Sequence, residues 1–187
     1  MERLSEVIEA LSSLARTGWM LRGVPSQQAE TVAEHLFASA LLALEIGLRA
    51  RDDGLEIDPY KAAAIALVHD VGESVIGDIP KTAGIDKSEA ERRAMESLPL
   101  HPEALRLFAE FEDKSTLEAL VARVAELGAT VLRARRYKAL GYTRVEEIEE
   151  SSMRAVDKLL EGAPGPLRRI VHDILSGGPV EPSGDGD

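Results

Sequence analysis

The sequence predicts an all-α, single-domain protein. Three observations carry this expectation. Apolar residues recur at helical spacing along most of the chain, no period-2 strand pattern of any length occurs, and 187 residues suit one domain. A chain of this length buries roughly 70% of its unfolded surface, so it needs no staples to hold a core.

The elements follow in order. Leu4, Val7, Ile8, Leu11 and Leu14 fall on one helical face. Gly18, Gly23 and Pro25 break the pattern, so residues 16–28 read as a loop. A second helix is expected over residues 30–51, stopping at Asp52-Asp53-Gly54. Asp58-Pro59 is a start signal: Asp accepts from first-turn N–H groups, and Pro fits the first helical position. The third helix is expected to run to Glu73, before a loop marked by Gly77, Pro80 and Gly84. Further helices are expected over residues 88–97, 102–112, 116–140, 143–161 and 165–176. The tail from Gly177 has no apolar pattern and is expected to be disordered, giving a helical domain at 1–176 and a flexible tail at 177–187.

Composition narrows the function. The net charge is −11 and there is no Lys/Arg-rich block, which argues against a duplex nucleic-acid surface. A small phosphorylated ligand stays open, since a metal and a few Arg or Lys make a local positive pocket. There is no cysteine, so disulfides, thiolate metal sites and a Cys nucleophile are excluded. That fits a reducing, cytoplasmic setting. The charged segment Met1–Glu6 has no signal-peptide core, and the apolar stretches fall short of the ~20 residues a spanning helix needs, so no membrane contact is expected.

His69-Asp70 is the most informative pair. It ends the apolar run from Ala62 to Val68, where an unpartnered carboxylate would cost several kcal/mol to bury. A bound cation removes that conflict, because imidazole and carboxylate both ligate divalent metals. His35 lies in a second apolar helical pattern and adds a third ligand. Three protein ligands is a count that leaves positions open for water or substrate. On a continuous helix Glu73 would share a face with His69, within reach of a metal-bound water. Asp78 in the following loop would orient that water or a neighbouring side chain. His172-Asp173 reads as an ordinary helix pair, since nothing acidic follows it at similar spacing.

Three stretches, residues 18–24, 30–35 and 69–80, together resemble the HD-domain metal-dependent phosphohydrolases, and more narrowly their 5'-deoxynucleotidase branch. The resemblance covers residues 10–140 and implies a helical bundle of HD type. It implies that His35, His69 and Asp70 ligate a metal, and that the fourth ligand, an Asp in the family, is Glu126 here. Asp157 is a rival for that place. It implies catalytic roles for Glu73 and Asp78, nucleotide contacts for Trp19 and Arg22, and a homodimer. Lys81 is a further phosphate-binding candidate, as it follows Pro80 directly.

The expected activity is a metal-dependent phosphomonoesterase acting on nucleoside 5'-monophosphates, in particular deoxynucleotides. The mixed N/O ligand set suits Mn, Co, Fe, Ni, Zn or Mg without choosing among them. Two alternatives stay open. One is a phosphodiesterase or pyrophosphohydrolase on a signalling nucleotide. The other is a non-catalytic nucleotide-binding protein in which Glu126 marks a decayed site.

Overall fold

The computed structural model describes residues 3–80, 84 and 87–177. Within them the chain is helical, as expected: α1 (Leu4–Ser13), α2 (Thr17–Met20), α3 (Val32–Asp52), α4 (Pro59–Val68), α5 (Glu73–Ile76), α6 (Ser88–Ser97), α7 (Pro102–Asp113), α8 (Leu117–Ala139), α9 (Glu146–Leu160) and α10 (Gly165–Ser176). Lys81 and the tail beyond Gly177 lie outside the described residues. None of the helices is long and apolar enough to cross a membrane.

Local chemistry sets the helix starts. Thr31 accepts the Glu34 N–H at 3.2 Å and Glu34 accepts the Thr31 N–H at 2.9 Å, a reciprocal cap that opens α3. Asp58 accepts the Tyr60 and Lys61 N–H groups at 2.9 and 3.1 Å, and Pro59 takes the first position of α4. Thr116 caps α8 through the Ala119 N–H.

The two long helices α3 and α8 form the centre, with α4, α9 and α10 packed on them. Ile46, Ala50, Ile65, Val121, Val124, Leu160 and Leu167 fill this core. A second cluster joins α1 to α6 and α7 through Val7, Leu11, Val32, Met95 and Phe108. A third seats Trp19 and Val24 against Ala134, Tyr137 and Val145. The second and third clusters flank the first turn of α3, which carries His35.

Two expectations change. Residues 16–28 include the one-turn helix α2, too short to show a period in sequence. The third helix does not reach Glu73. It ends at Val68, and residues 69–72 form a tight turn with Val71 N–H on Val68 O and Glu73 N–H on Asp70 O. These are i→i−3 bonds, which wind the chain more tightly than an α-helix. His69 therefore caps α4 and Glu73 opens α5, and the two do not share one helix face.

Candidate metal centre

His35 enters from the first turn of α3, and its backbone N–H bonds Thr31 O. His69 caps the C-terminus of α4. Both are buried. Their ring centroids lie 5.3 Å apart, and one ligand atom from each of His35, His69 and Asp70 falls within 4.8 Å of the others. His69 Nδ1 is 2.7 Å from the Ala66 carbonyl, so Nδ1 is the donor and Nε2 carries the lone pair. That Nε2 faces Asp70 Oδ2 at 3.2 Å. Two acceptors in this position call for a proton or a metal between them. The donor set fits a divalent ion.

The titration behaviour points the same way. Burial alone would lower the His69 pKa, but the Asp70 carboxylate and the Glu126 charge raise it. Burial would raise Asp70, yet His69, His35 and Arg16 together hold it below its ordinary value.

A cleft of about 480 Å³ opens beside this trio, lined by His69 and Asp70. Arg16, Trp19, Arg22, Glu73, Asp78 and Glu126 all line it. Trp19 is buried, donates its indole N–H to Glu30 at 3.0 Å and meets Tyr137 edge-on at 5.1 Å. It is thus both core and cleft wall. Arg22 pairs with the exposed Glu147 at 2.8 Å. The Asp78 carboxylate accepts the Thr17 N–H, and its carbonyl accepts the Thr17 hydroxyl at 3.0 Å, which ties α2 to the loop after α5. Gly77 makes that loop by taking φ +78°, a region that disfavours side chains. Glu126 is buried on α8 but stands outside the trio whose ligand atoms lie within 4.8 Å. Asp157 is 56% exposed and faces His172 rather than the cleft.

Glu73 is 2% exposed. Its Oε1 accepts from Lys87 at 3.2 Å, while its Oε2 is buried without a hydrogen-bond partner among the described residues. Burial, with Asp70 and Asp78 nearby, pushes its carboxyl up to about 8 against the opposing Lys87 and Arg16 charges.

Sequence reasoning missed four residues of this site. Arg16 places Nη1 2.9 Å from His35 Nδ1, 3.4 Å from Glu30 and 3.5 Å from the Thr130 hydroxyl. Glu30, 1% exposed, collects Arg16, Trp19 and Arg133. A bridge between Ala15 and Thr31 holds these two segments side by side. Lys87 and Glu91 come from the start of α6, which packs close because Gly72 has no side chain: a Cβ there would lie 3.2 Å from Glu91 O. The available signal is an acid directly before the Thr31 cap and an Arg two residues before the Gly18-Trp19 pair.

An all-α bundle with a His, His-Asp centre under an Arg-lined cleft defines a metal-dependent phosphohydrolase. Comparison with known proteins agrees. The HD domain family model matches residues 8–164. Human 5'-deoxynucleotidase HDDC2 is 32% identical over 157 residues, 78% of this chain and 73% of that protein. The Dictyostelium discoideum 5'-deoxynucleotidase HDDC2 is 32% identical over 139 residues, 68% of this chain and 72% of that one. A conserved hypothetical protein from Pyrococcus furiosus superposes with a TM-score of 0.80 at 29% identity, covering 94% of this chain and 98% of its own. An HD-domain phosphohydrolase from Listeria innocua shares the fold, with a TM-score of 0.65 at 19% identity over 92% of this chain and 94% of its own. The chain belongs to the HD domain family.

Proposed function

We propose that the enzyme removes phosphate from nucleoside 5'-monophosphates, in particular deoxynucleotides. The observation that carries this reading is the trio His35, His69 and Asp70, two of which line a cleft whose walls also hold Arg16, Arg22 and Trp19. The 5'-deoxynucleotidase relatives support the substrate class. His35, His69 and Asp70 would hold a divalent ion, with Glu126 as the fourth ligand. Such an ion, when bound, lowers the pKa of a water towards neutrality and withdraws charge from phosphoryl oxygens. Arg16 and Arg22 offer planar forks to the phosphate. Trp19 sets the cleft wall beside the sugar and base. With a divalent ion offsetting the Asp70 charge, Glu73 would be ionised and take the proton of the attacking water at Oε2, the oxygen that Lys87 leaves open. Asp78 acts by fixing α2, and with it Trp19, over the centre.

The catalytic unit in this reading is the helical domain of residues 1–176. The absence of cysteine supports a cytoplasmic setting. Phe37 and Leu41, exposed one turn apart on α3, supply an apolar face for a homodimer.

Phosphate release from a nucleotide panel, with each divalent metal added to chelator-stripped protein, tests the proposal. Release from deoxynucleoside 5'-monophosphates is expected. Turnover confined to diesters or pyrophosphate bonds would replace this reading with a phosphodiesterase or pyrophosphohydrolase.

A further inference from the structure

Two groups of ligand atoms meet at this centre, and they share one residue. The first is His35, His69 and Asp70. The second is Asp70, Glu73 and Glu91, again with one ligand atom from each within 4.8 Å of the others. Two-metal hydrolytic sites hold their ions about 3.5–4 Å apart, commonly through a shared carboxylate. The second group has the shape of the other half of such a site. A cation is already present there. Lys87 Nζ lies 2.6 Å from Glu91 Oε1 and 3.2 Å from Glu73 Oε1. The ammonium is partly enclosed, at 24% side-chain exposure, and Glu91 is at 14%.

We propose that the Lys87 ammonium occupies the second-cation position of the centre, so that the protein binds a single divalent ion beside a built-in monovalent one. Three carboxylates within 4.8 Å repel one another strongly where solvent is excluded. One divalent ion and one ammonium balance the charge of this inner set. The arrangement also divides the work of Glu73. Oε1 is held by Lys87, and Oε2, buried with no hydrogen-bond partner among the described residues, is left turned from that contact. A second metal would instead compete for Glu73 as a ligand and withdraw it from proton transfer. The short helix α5 and the close packing of α6 on Gly72 are what bring Glu73 and Glu91 to the same ammonium.

The inference rests on the first metal site, and the test separates the two. Chelator-stripped wild type, Lys87→Met and Lys87→Arg are each equilibrated with Mn²⁺. Bound metal per chain is then measured by mass spectrometry, and the spin state of the bound ions by electron paramagnetic resonance. Lys87→Met keeps the length of the stem and removes the charge. Wild type and Lys87→Arg are expected to bind one ion per chain with the six-line spectrum of isolated Mn²⁺. Lys87→Met is expected to bind two ions, with a spectrum broadened by exchange between them. Circular dichroism melts show whether each variant is folded, and Lys87→Arg reports on the charge alone. Two ions in wild type overturn the proposal. One ion in folded Lys87→Met also overturns it, while leaving the first site intact. No Mn²⁺ in wild type overturns both this inference and the metal reading beneath it.

Discussion

Arg16 Nη1 lies 2.9 Å from Nδ1 of His35. A guanidinium can only donate, so His35 Nδ1 accepts, and the neutral ring carries its proton on Nε2. A His that ligates through Nε2 needs the opposite arrangement, with Nδ1 as the donor. Arg16 and a metal on Nε2 therefore make incompatible demands on this ring. A metal held at Nε2 would require Arg16 to leave His35, and the cleft, which Arg16 lines, is where an anionic phosphate would meet it.

Arg16→Met is expected to bind Mn²⁺ at least as tightly as wild type, because a competing donor and a nearby positive charge are gone. Its KM for a nucleoside monophosphate should rise roughly 10–100-fold, the value of a charge-assisted hydrogen bond of about 1.5–3 kcal/mol. Titration calorimetry and steady-state kinetics measure the two. Loss of metal binding in this variant would show that Arg16 supports the ligand ring instead.

Glu73→Gln should keep its metal and lose turnover, by roughly 10²-fold or more. The substitution keeps the shape of the side chain while removing the basic oxygen at Oε2. Metal content and kcat, measured on the same sample, check this. Unchanged kcat would remove Glu73 from proton transfer.

The metal-free protein should lose stability as pH rises from 5 to 8.5. Burial lifts Glu73 from 4.5 to about 8, so between these values the folded state holds a proton that the unfolded state has lost. The free energy of unfolding then falls with rising pH across that window. His69 acts in the same direction, because its pKa is raised against burial by Asp70, and its contribution fades above its ordinary value of 6.5. Asp70 is held low, so its contribution changes only at acid pH, below this window. Thermal melts across the range should show the decline, and Glu73→Gln should flatten it. A melting temperature that climbs from pH 5 to 8.5 would contradict the burial of Glu73 as a neutral acid.

Legibility in the sequence followed the length of the signal. The start of α4 at Asp58-Pro59 and the span of α10 at residues 165–176 stand where caps and periodicity put them. A single turn such as α2 has no period to read, and the break after Val68 depends on i→i−3 bonds that no apolar pattern encodes. The pairing of His69 with Asp70 was visible because polar groups in an apolar run stand out. Lys87 and Glu91 were not, since six of the ten residues from Lys87 to Glu96 are charged and the run reads as a solvated helix. The burial of Ala94 and Met95 and the contact of α6 with Gly72 show that one face of that run is turned inward. Arg16 and Glu30 were hidden by distance: the contact of Arg16 with Thr130 spans 114 residues.

Glu126 carries the remaining question of the centre, because the family places an Asp there. It is buried on α8, lines the cleft, and its charge raises the pKa of both His69 and Arg16. It is not one of the residues whose ligand atoms lie within 4.8 Å of each other. The extra methylene of Glu gives the carboxylate a longer, rotatable reach from the helix than an Asp would have. Glu126→Gln is therefore expected to weaken Mn²⁺ binding about tenfold or more, an effect of the size seen when a metal centre loses a supporting carboxylate. Asp157→Asn should leave affinity unchanged, since Asp157 is exposed and pairs with His172 at 3.6 Å. Titration of both variants beside wild type measures this. Equal affinity in Glu126→Gln would leave three protein ligands and a water in the fourth place. A gain of turnover in Glu126→Asp would show that the longer side chain holds the ion away from the position at which Glu73 works best.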